Sequence, residues 1–118
     1  MSQFTIGREC PCIDHGPRSP DARDERFVGV DETDGRFAEV RLIRCVRCTR
    51  LYLRYLVEYE SFPGSGRWAA APIGDADPAR ITPETAADFI AAAPWMVFGG
   101  SYFGHEGKRG RGPIHWRL

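Results

Sequence analysis

Four cysteines in two close pairs constrain the possible folds of this chain more than any other feature of its sequence. One residue separates Cys10 from Cys12, two residues separate Cys45 from Cys48, and 32 residues lie between the pairs. Zinc prefers four ligands at tetrahedral angles, and thiolate is its usual structural ligand. The sequence therefore predicts that these four cysteines bind one structural zinc ion.

Other roles for the cysteines stay open at the level of sequence. The pairs can form redox disulfides or remain as free buried thiols, although a redox Cys-x-x-Cys ordinarily begins a helix in a βαβ unit. Cys45 and Cys48 instead join two predicted strands. A catalytic zinc needs three protein ligands and a water, and His15 is close enough to Cys12 to replace one thiolate. Four available cysteines favour the closed structural site.

The cysteine pairs and the strands predicted around them resemble the zinc ribbon class, in which two cysteine knuckles on β-hairpins clamp one zinc ion. The resemblance covers the first half of the chain and implies a structural zinc. Two differences stand out: Cys10 and Cys12 are one residue closer than is usual, and the second half of the chain has no counterpart in a simple ribbon.

The fold class predicted for this chain is α+β, as a single zinc-stabilised domain over residues 1–118. Alternating apolar residues predict an antiparallel sheet with a zinc-ribbon-like knuckle pair at one end and one helix packed on it. Asp34-Gly35 is a hairpin signal. Residues 18–26 are predicted as a loop or short helical turn. The predicted strands are residues 4–9, 27–31, 36–45, 51–60, 67–73, 95–98 and 113–118.

The one predicted helix follows Thr82, which is a good N-cap, and Pro83, which suits the first helical position. An apolar stripe at helical spacing faces the sheet, and Pro94 ends the helix. The stripe consists of Ala86, Phe89, Ile90 and Ala93.

Arginines cluster around the second cysteine pair, where residues 40–54 hold five arginines and no acidic residue. A zinc ion with four thiolates carries a formal charge of about −2. Arg44 and Arg47 are therefore predicted to stabilise the thiolates by N–H···S contacts and charge attraction. Over the whole chain, 16 basic and 16 acidic residues give a net charge of zero, which argues against a general polyanion-coating protein.

A glycine-rich segment near the C-terminus is the predicted partner-binding region. Residues 99–112 contain six glycines and are predicted to form a loop. Aromatic and basic side chains there are of the types that dominate binding energy at interfaces. The predicted contact residues are Tyr102, Phe103, His105, Lys108, Arg109 and Arg111.

No catalytic signature is present in the sequence, so the chain is predicted not to be an enzyme. The first functional hypothesis is a small zinc-binding protein that acts by binding another protein, in an accessory, regulatory or toxin-immunity role. The alternative is a zinc-ribbon nucleic-acid-binding protein that uses the arginine cluster with Tyr52 and Tyr55. A zinc enzyme is the third.

Composition and targeting signals complete the expectations. Fifteen arginines against one lysine are typical of a GC-rich bacterial genome. The first residues lack a secretory signal, and no apolar run reaches the ~18 residues of a membrane span. The sequence therefore predicts a soluble, cytoplasmic bacterial protein with no membrane partner.

Overall fold

A computed structural model describes residues 10, 12–15, 22–45, 47–57, 66–100 and 104–111. They form a six-stranded antiparallel sheet in which the spatial order of the strands equals their order along the chain. This agrees with the predicted α+β class. The strands are β1 (Ala22–Asp31), β2 (Ala38–Cys45), β3 (Leu51–Val57), β4 (Arg67–Pro72), β5 (Met96–Gly100) and β6 (Gly104–Gly110).

The helices are α1 (Cys12–His15), which is a single turn, and α2 (Ala86–Ala92). Short 3₁₀ turns lie at Thr33–Gly35 and Asp77–Arg80. The strands predicted at residues 4–9 and 113–118 lie outside the described residues. No helix in the part of the chain that the structure describes is long and apolar enough to cross a membrane.

β1 begins earlier than predicted. Residues 22–26, predicted as loop or helical turn, belong to the strand, and Ala22 pairs with Cys45 at the far end of β2. The ladder to β2 gives this charged segment its backbone hydrogen bonds, and Glu25 and Arg26 remain exposed. The predicted hairpin turn is confirmed: Asp34 and Gly35 have φ values of 57° and 79°.

The glycine-rich segment is also a strand where a loop was predicted. β6 pairs with β5, with Gly110 opposite Met96 and Arg109 opposite Val97. Glycine has a packing reason here, because a Cβ on Gly110 would lie 2.8 Å from Cε1 of Phe98. The glycines therefore allow a close hairpin rather than an irregular loop.

The two faces of the sheet carry different layers. On one face, apolar side chains of β2, β3 and β4 pack against α2 through Ala86 and Ile90. On the other, Cys12 and Ile13 of α1 pack against Cys45, Tyr52 and Ala70. α1 also contacts β5 and β6. The strand alternation predicted from sequence is confirmed, and the cysteines lie on the face opposite α2.

α2 begins at Ala86, about one turn after Thr82, the predicted N-cap. The backbone N–H of Thr85 donates to Oγ1 of Thr82 at 3.3 Å, and the N–H of Ala86 donates to the Thr82 carbonyl at 3.1 Å. Thr82 therefore satisfies early donors as a capping residue does. Ala86 and Ile90 are buried, and the helix ends at Ala92, before Pro94.

Gly100 is the position in β5 that a side chain should disturb most. Its φ is +119°, and a Cβ there would lie 2.5 Å from the carbonyl oxygen of Gly66. We expect Gly100→Ala to lower the free energy of unfolding by about 2 kcal/mol or more, because the added methyl overpacks against backbone. Gly74→Ala is the control, since its Cβ would make only an ordinary contact at 3.6 Å. Equal stability of the two variants in urea denaturation would contradict this reason.

Candidate metal centre

The four cysteine sulfurs meet at one place. The four Sγ atoms all lie within 4.8 Å of one another, with Cys10 to Cys45 at 3.6 Å and Cys12 to Cys48 at 3.5 Å. A disulfide needs a separation of about 2.05 Å, and all four cysteines are free. Tetrahedral Zn–S bonds of about 2.3 Å place sulfurs about 3.8 Å apart. The cluster can therefore hold a single metal ion with little rearrangement.

Two tight turns present the sulfurs. After β2, the N–H of Thr49 donates to the Cys45 carbonyl at 2.8 Å, and the N–H of Cys45 donates to the Arg50 carbonyl at 2.9 Å. Thr49 has a φ of 63°, which closes this turn. On the other side, the N–H of Ile13 donates to the Cys10 carbonyl at 3.1 Å as α1 begins. The sequence thus brings together the cysteine pair of the β2–β3 turn, Cys45 and Cys48, and the cysteine pair at the start of α1, Cys10 and Cys12.

The thiols differ in how readily they lose a proton. Burial raises the pKa of Cys45, but the backbone N–H groups of Cys48 and Arg47 outweigh it, so that its pKa lies below the ordinary value. For Cys12, burial together with the neighbouring thiols of Cys48 and Cys10 raises the pKa strongly. Cys45 is therefore the thiolate best prepared by the protein, and a bound cation is what would favour ionisation of the rest.

The two arginines predicted to support the thiolates are placed differently. Arg47 is exposed and contributes its backbone N–H to Cys45. The Arg44 side chain donates to the Thr49 carbonyl at 2.8 Å and to Asp75 at 3.2 Å. Arg44 thus braces the turn that carries the second pair of cysteines.

Tyr52 and Arg50 are the residues that sequence reasoning missed at this site. The Tyr52 hydroxyl donates to Sγ of Cys12 at 3.0 Å, and Tyr52 is fully buried. Burial lowers the pKa of Arg50, but its interactions with Tyr52, Cys48 and Cys12 outweigh burial, so that its pKa lies above the ordinary value. The sequence did carry a signal for Tyr52. A tight turn between β2 and β3 places Tyr52 opposite Ile43, which is two residues before Cys45, so the Tyr52 side chain shares the face of the sheet with Cys45.

A ring lies beside these two residues. Trp95 contacts Tyr52 edge-on, with ring centroids 6.2 Å apart and an interplanar angle of 78°. The Arg50 guanidinium lies over the Trp95 ring at 5.6 Å, and that of Arg109 lies over it at 5.8 Å. Arg109, predicted as a partner contact, is therefore connected to the surroundings of the cysteines.

The other predicted partner contacts are spread over β6 and its flanks. Lys108 and Arg111 are exposed, whereas for His105 the structure gives only its place in the strand. Tyr102 and Phe103 lie outside the described residues. His15 belongs to α1, and its side chain is likewise outside what the structure describes.

A donor set of four thiolates from one chain forms a closed site, in which no coordination position is left for a substrate. It suits soft or borderline metals in tetrahedral geometry, namely zinc or iron. No known protein family, curated protein or solved structure matches this chain.

Proposed function

We propose that the chain is a zinc protein, in which Cys10, Cys12, Cys45 and Cys48 hold one structural Zn²⁺, and that it acts by binding another protein. The observation that carries the zinc assignment is the set of four sulfurs within 4.8 Å. Zinc has no redox chemistry and needs no open position for a structural role. It supplies a cross-link between the segment that contains α1 and the β2–β3 turn.

The protein's own groups do the rest of the work at this site. Backbone N–H groups of Arg47 and Cys48 point at Cys45, and Tyr52 donates to Cys12. These donors lower the energetic cost of keeping thiolates inside a protein. Together with the packing of Ile13, they hold the cysteine-bearing face closed around the ion.

Exposed apolar side chains support a protein partner. Phe27 is 50% exposed, Val30 37% and Phe37 70%, and all three belong to the β1–β2 hairpin. Phe27 and Val30 lie opposite Arg41 and Glu39, on the face of the sheet that bears Cys45. Aromatic residues together with arginine are enriched at protein interfaces. We call Phe27, Val30 and Phe37 the hairpin patch and propose it as the contact surface.

The nucleic-acid alternative is less well supported by the charges. Arg41 pairs with Glu25 at 3.4 Å and with Glu39 at 3.3 Å, and Arg44 pairs with Asp75 at 3.2 Å. Tyr52 and Tyr55, predicted as stacking residues, are fully buried. A phosphate backbone is bound by cations that can exchange with counterions. These arginines already have carboxylate partners.

Metal content tests the zinc assignment. We expect purified protein to contain one zinc per chain by elemental analysis, with the matching mass in native mass spectrometry. Chelation by EDTA should remove the zinc, and readdition should restore it. A metal-free chain that keeps the same fold, or a chain with two disulfides, would refute the assignment.

The partner assignment predicts an effect at the hairpin patch. A photo-cross-linking residue at position 37 or 27 should yield one saturable protein adduct in cells, and the same residue at exposed Asp88 on α2 should not. The purified partner should then bind at least about tenfold more weakly to Phe37→Ala, because truncating an aromatic hot-spot residue costs about 2 kcal/mol or more. Cross-linking to RNA or DNA instead would favour the alternative.

A further inference from the structure

The Tyr52 hydroxyl donates a hydrogen bond to Sγ of Cys12, 3.0 Å away. The Arg50 guanidinium lies over the ring of Trp95 at 5.6 Å, and that ring meets Tyr52 edge-on at 6.2 Å. A positive charge therefore lies beside the ring that packs against the donor to Cys12.

We propose that Tyr52 and Arg50 are positioning residues for the metal site: the Tyr52 hydroxyl hydrogen-bonds the metal-bound thiolate of Cys12 and sets its donor strength, and the positive charge of Arg50 supports this site from the neighbouring Trp95 ring. This inference rests on the proposed function, since it takes the four cysteines to hold zinc. It adds a specific role for two residues outside the ligand set.

The surroundings make this hydrogen bond strong. Tyr52 is fully buried and Cys12 is 4% exposed, so water cannot replace the hydroxyl as a donor. Hydrogen bonds to charged acceptors are about twice as strong as neutral ones. An ionised Cys12 without this donor would be a buried anion with one fewer compensating group.

Trp95 keeps the pair in place. Its ring meets Tyr52 edge-on at 6.2 Å and lies under the Arg50 guanidinium at 5.6 Å. Arg109 of β6 approaches the same ring at 5.8 Å. Trp95, which precedes β5, thus helps to orient the Tyr52 hydroxyl towards Cys12, and Arg109 of β6 contacts the same ring.

The test compares two tyrosines of one strand. Tyr52 and Tyr55 are both buried in β3, and the Tyr55 hydroxyl donates to Asp31, a residue outside the cysteine cluster. Tyr52→Phe and Tyr55→Phe therefore each remove the hydroxyl oxygen of a buried tyrosine, and the two hydroxyls donate to different residues. Each variant, and the wild-type protein, would be loaded with zinc and separately with Co²⁺ as a spectroscopic probe.

We expect Tyr52→Phe to shift the thiolate-to-cobalt charge-transfer band to longer wavelength, because the sulfur lone pairs lose a stabilising donor. The d–d bands of the Co²⁺ form should shift as well, because they report the donor strength of the four sulfurs. Zinc affinity should fall about 10- to 100-fold, as it does when outer-shell partners are removed from metal sites. Arg50→Gln should move all three quantities in the same direction by less.

Tyr55→Phe should leave the charge-transfer band and the d–d bands of the Co²⁺ form at wild-type wavelengths, whatever it does to fold stability. If Tyr52→Phe also leaves both unchanged, or if both variants change them equally, the positioning role is overturned while the zinc site stands. A wild-type chain that takes up neither zinc nor Co²⁺ would overturn the proposed function itself.

Discussion

Replacing Cys45 by serine should abolish stoichiometric zinc binding and unfold the domain at room temperature. Cys45 is fully buried, and its thiol is the one whose pKa is lowered by backbone N–H groups. Structural zinc contributes about 10 kcal/mol or more to small domains, whereas a domain of this size has a net stability of only about 5–15 kcal/mol. Loss of the metal therefore removes most of the free energy of unfolding.

Circular dichroism, denaturant titration and zinc content measure this outcome. Cys10→Ser should be milder because Cys10 is partly exposed, so that a water from solvent can take the vacated position beside three thiolates, which the burial of Cys45 prevents in Cys45→Ser. Arg47→Ala is the matched control within the same turn, because it keeps the backbone N–H that faces Cys45. A Cys45→Ser protein that is folded and carries one zinc would exclude the tetrathiolate site.

Asp31→Asn should be the most damaging single substitution away from the cysteines. Asp31 is fully buried. Its carboxylate accepts hydrogen bonds from the backbone N–H of Thr33 at 3.0 Å, from the Thr33 hydroxyl at 2.6 Å and from the Tyr55 hydroxyl. Arg36 lies 3.4 Å away. Removing the charge leaves Arg36 without its carboxylate, and breaking a buried pair costs about 3 kcal/mol or more.

The same carboxylate predicts a pH dependence. Burial raises the pKa of Asp31, but hydrogen bonds from Thr33 and Tyr55 and the charge of Arg36 outweigh it, so the pKa lies below the ordinary value. The stabilisation of the fold by ionised Asp31 is therefore complete above the unfolded-state pKa of about 3.9. It is lost as the pH falls through the lower folded-state pKa of Asp31.

The difference in unfolding free energy between wild-type protein and Asp31→Asn tests this. It should be constant from pH 7 to 5 and shrink below about pH 4. Thiolate ligands take up protons in acid, so both proteins are titrated at the same free zinc concentration and compared at pH values where both remain folded. Asp88→Asn, at an exposed position on α2, is the control and should differ little from wild type at every pH. A difference between Asp31→Asn and wild type that grows towards acid would contradict the assignment.

Local patterns predicted most of the sheet because the strands pair with their sequence neighbours. Leu53, Tyr55 and Val57 alternate with Arg54 and Leu56, and this alternation is the observed burial pattern of β3. The cysteine cluster was also predictable, since spacing alone implies chelation. By contrast, the start of β1 was missed because its residues are charged, and a strand at the edge of a sheet keeps such side chains in water.

Features that depend on the opposite side of the sheet were not predictable from local sequence. The nucleic-acid alternative assigned Tyr52 a stacking role, but Cys12 and Ile13 of α1 pack against it. Arg67 is fully buried at the start of β4 although its side chain is charged. β6 was predicted as a loop from its glycines, whereas Gly110 lies in a strand beside the ring of Phe98, where a Cβ would come within 2.8 Å of Cε1. In each case a residue distant in sequence decides the outcome.

The neighbour-to-neighbour order of the sheet has a consequence for how the chain folds. Each strand can join the growing sheet by closing a loop to the strand just before it, which carries a small entropic cost and favours rapid folding. The cysteine pairs are the exception, because Cys10 and Cys45 are 35 residues apart in sequence. We therefore expect the hairpins to assemble first and capture of the metal to be the late, concentration-dependent step, so that zinc supply would set the rate at which finished protein accumulates.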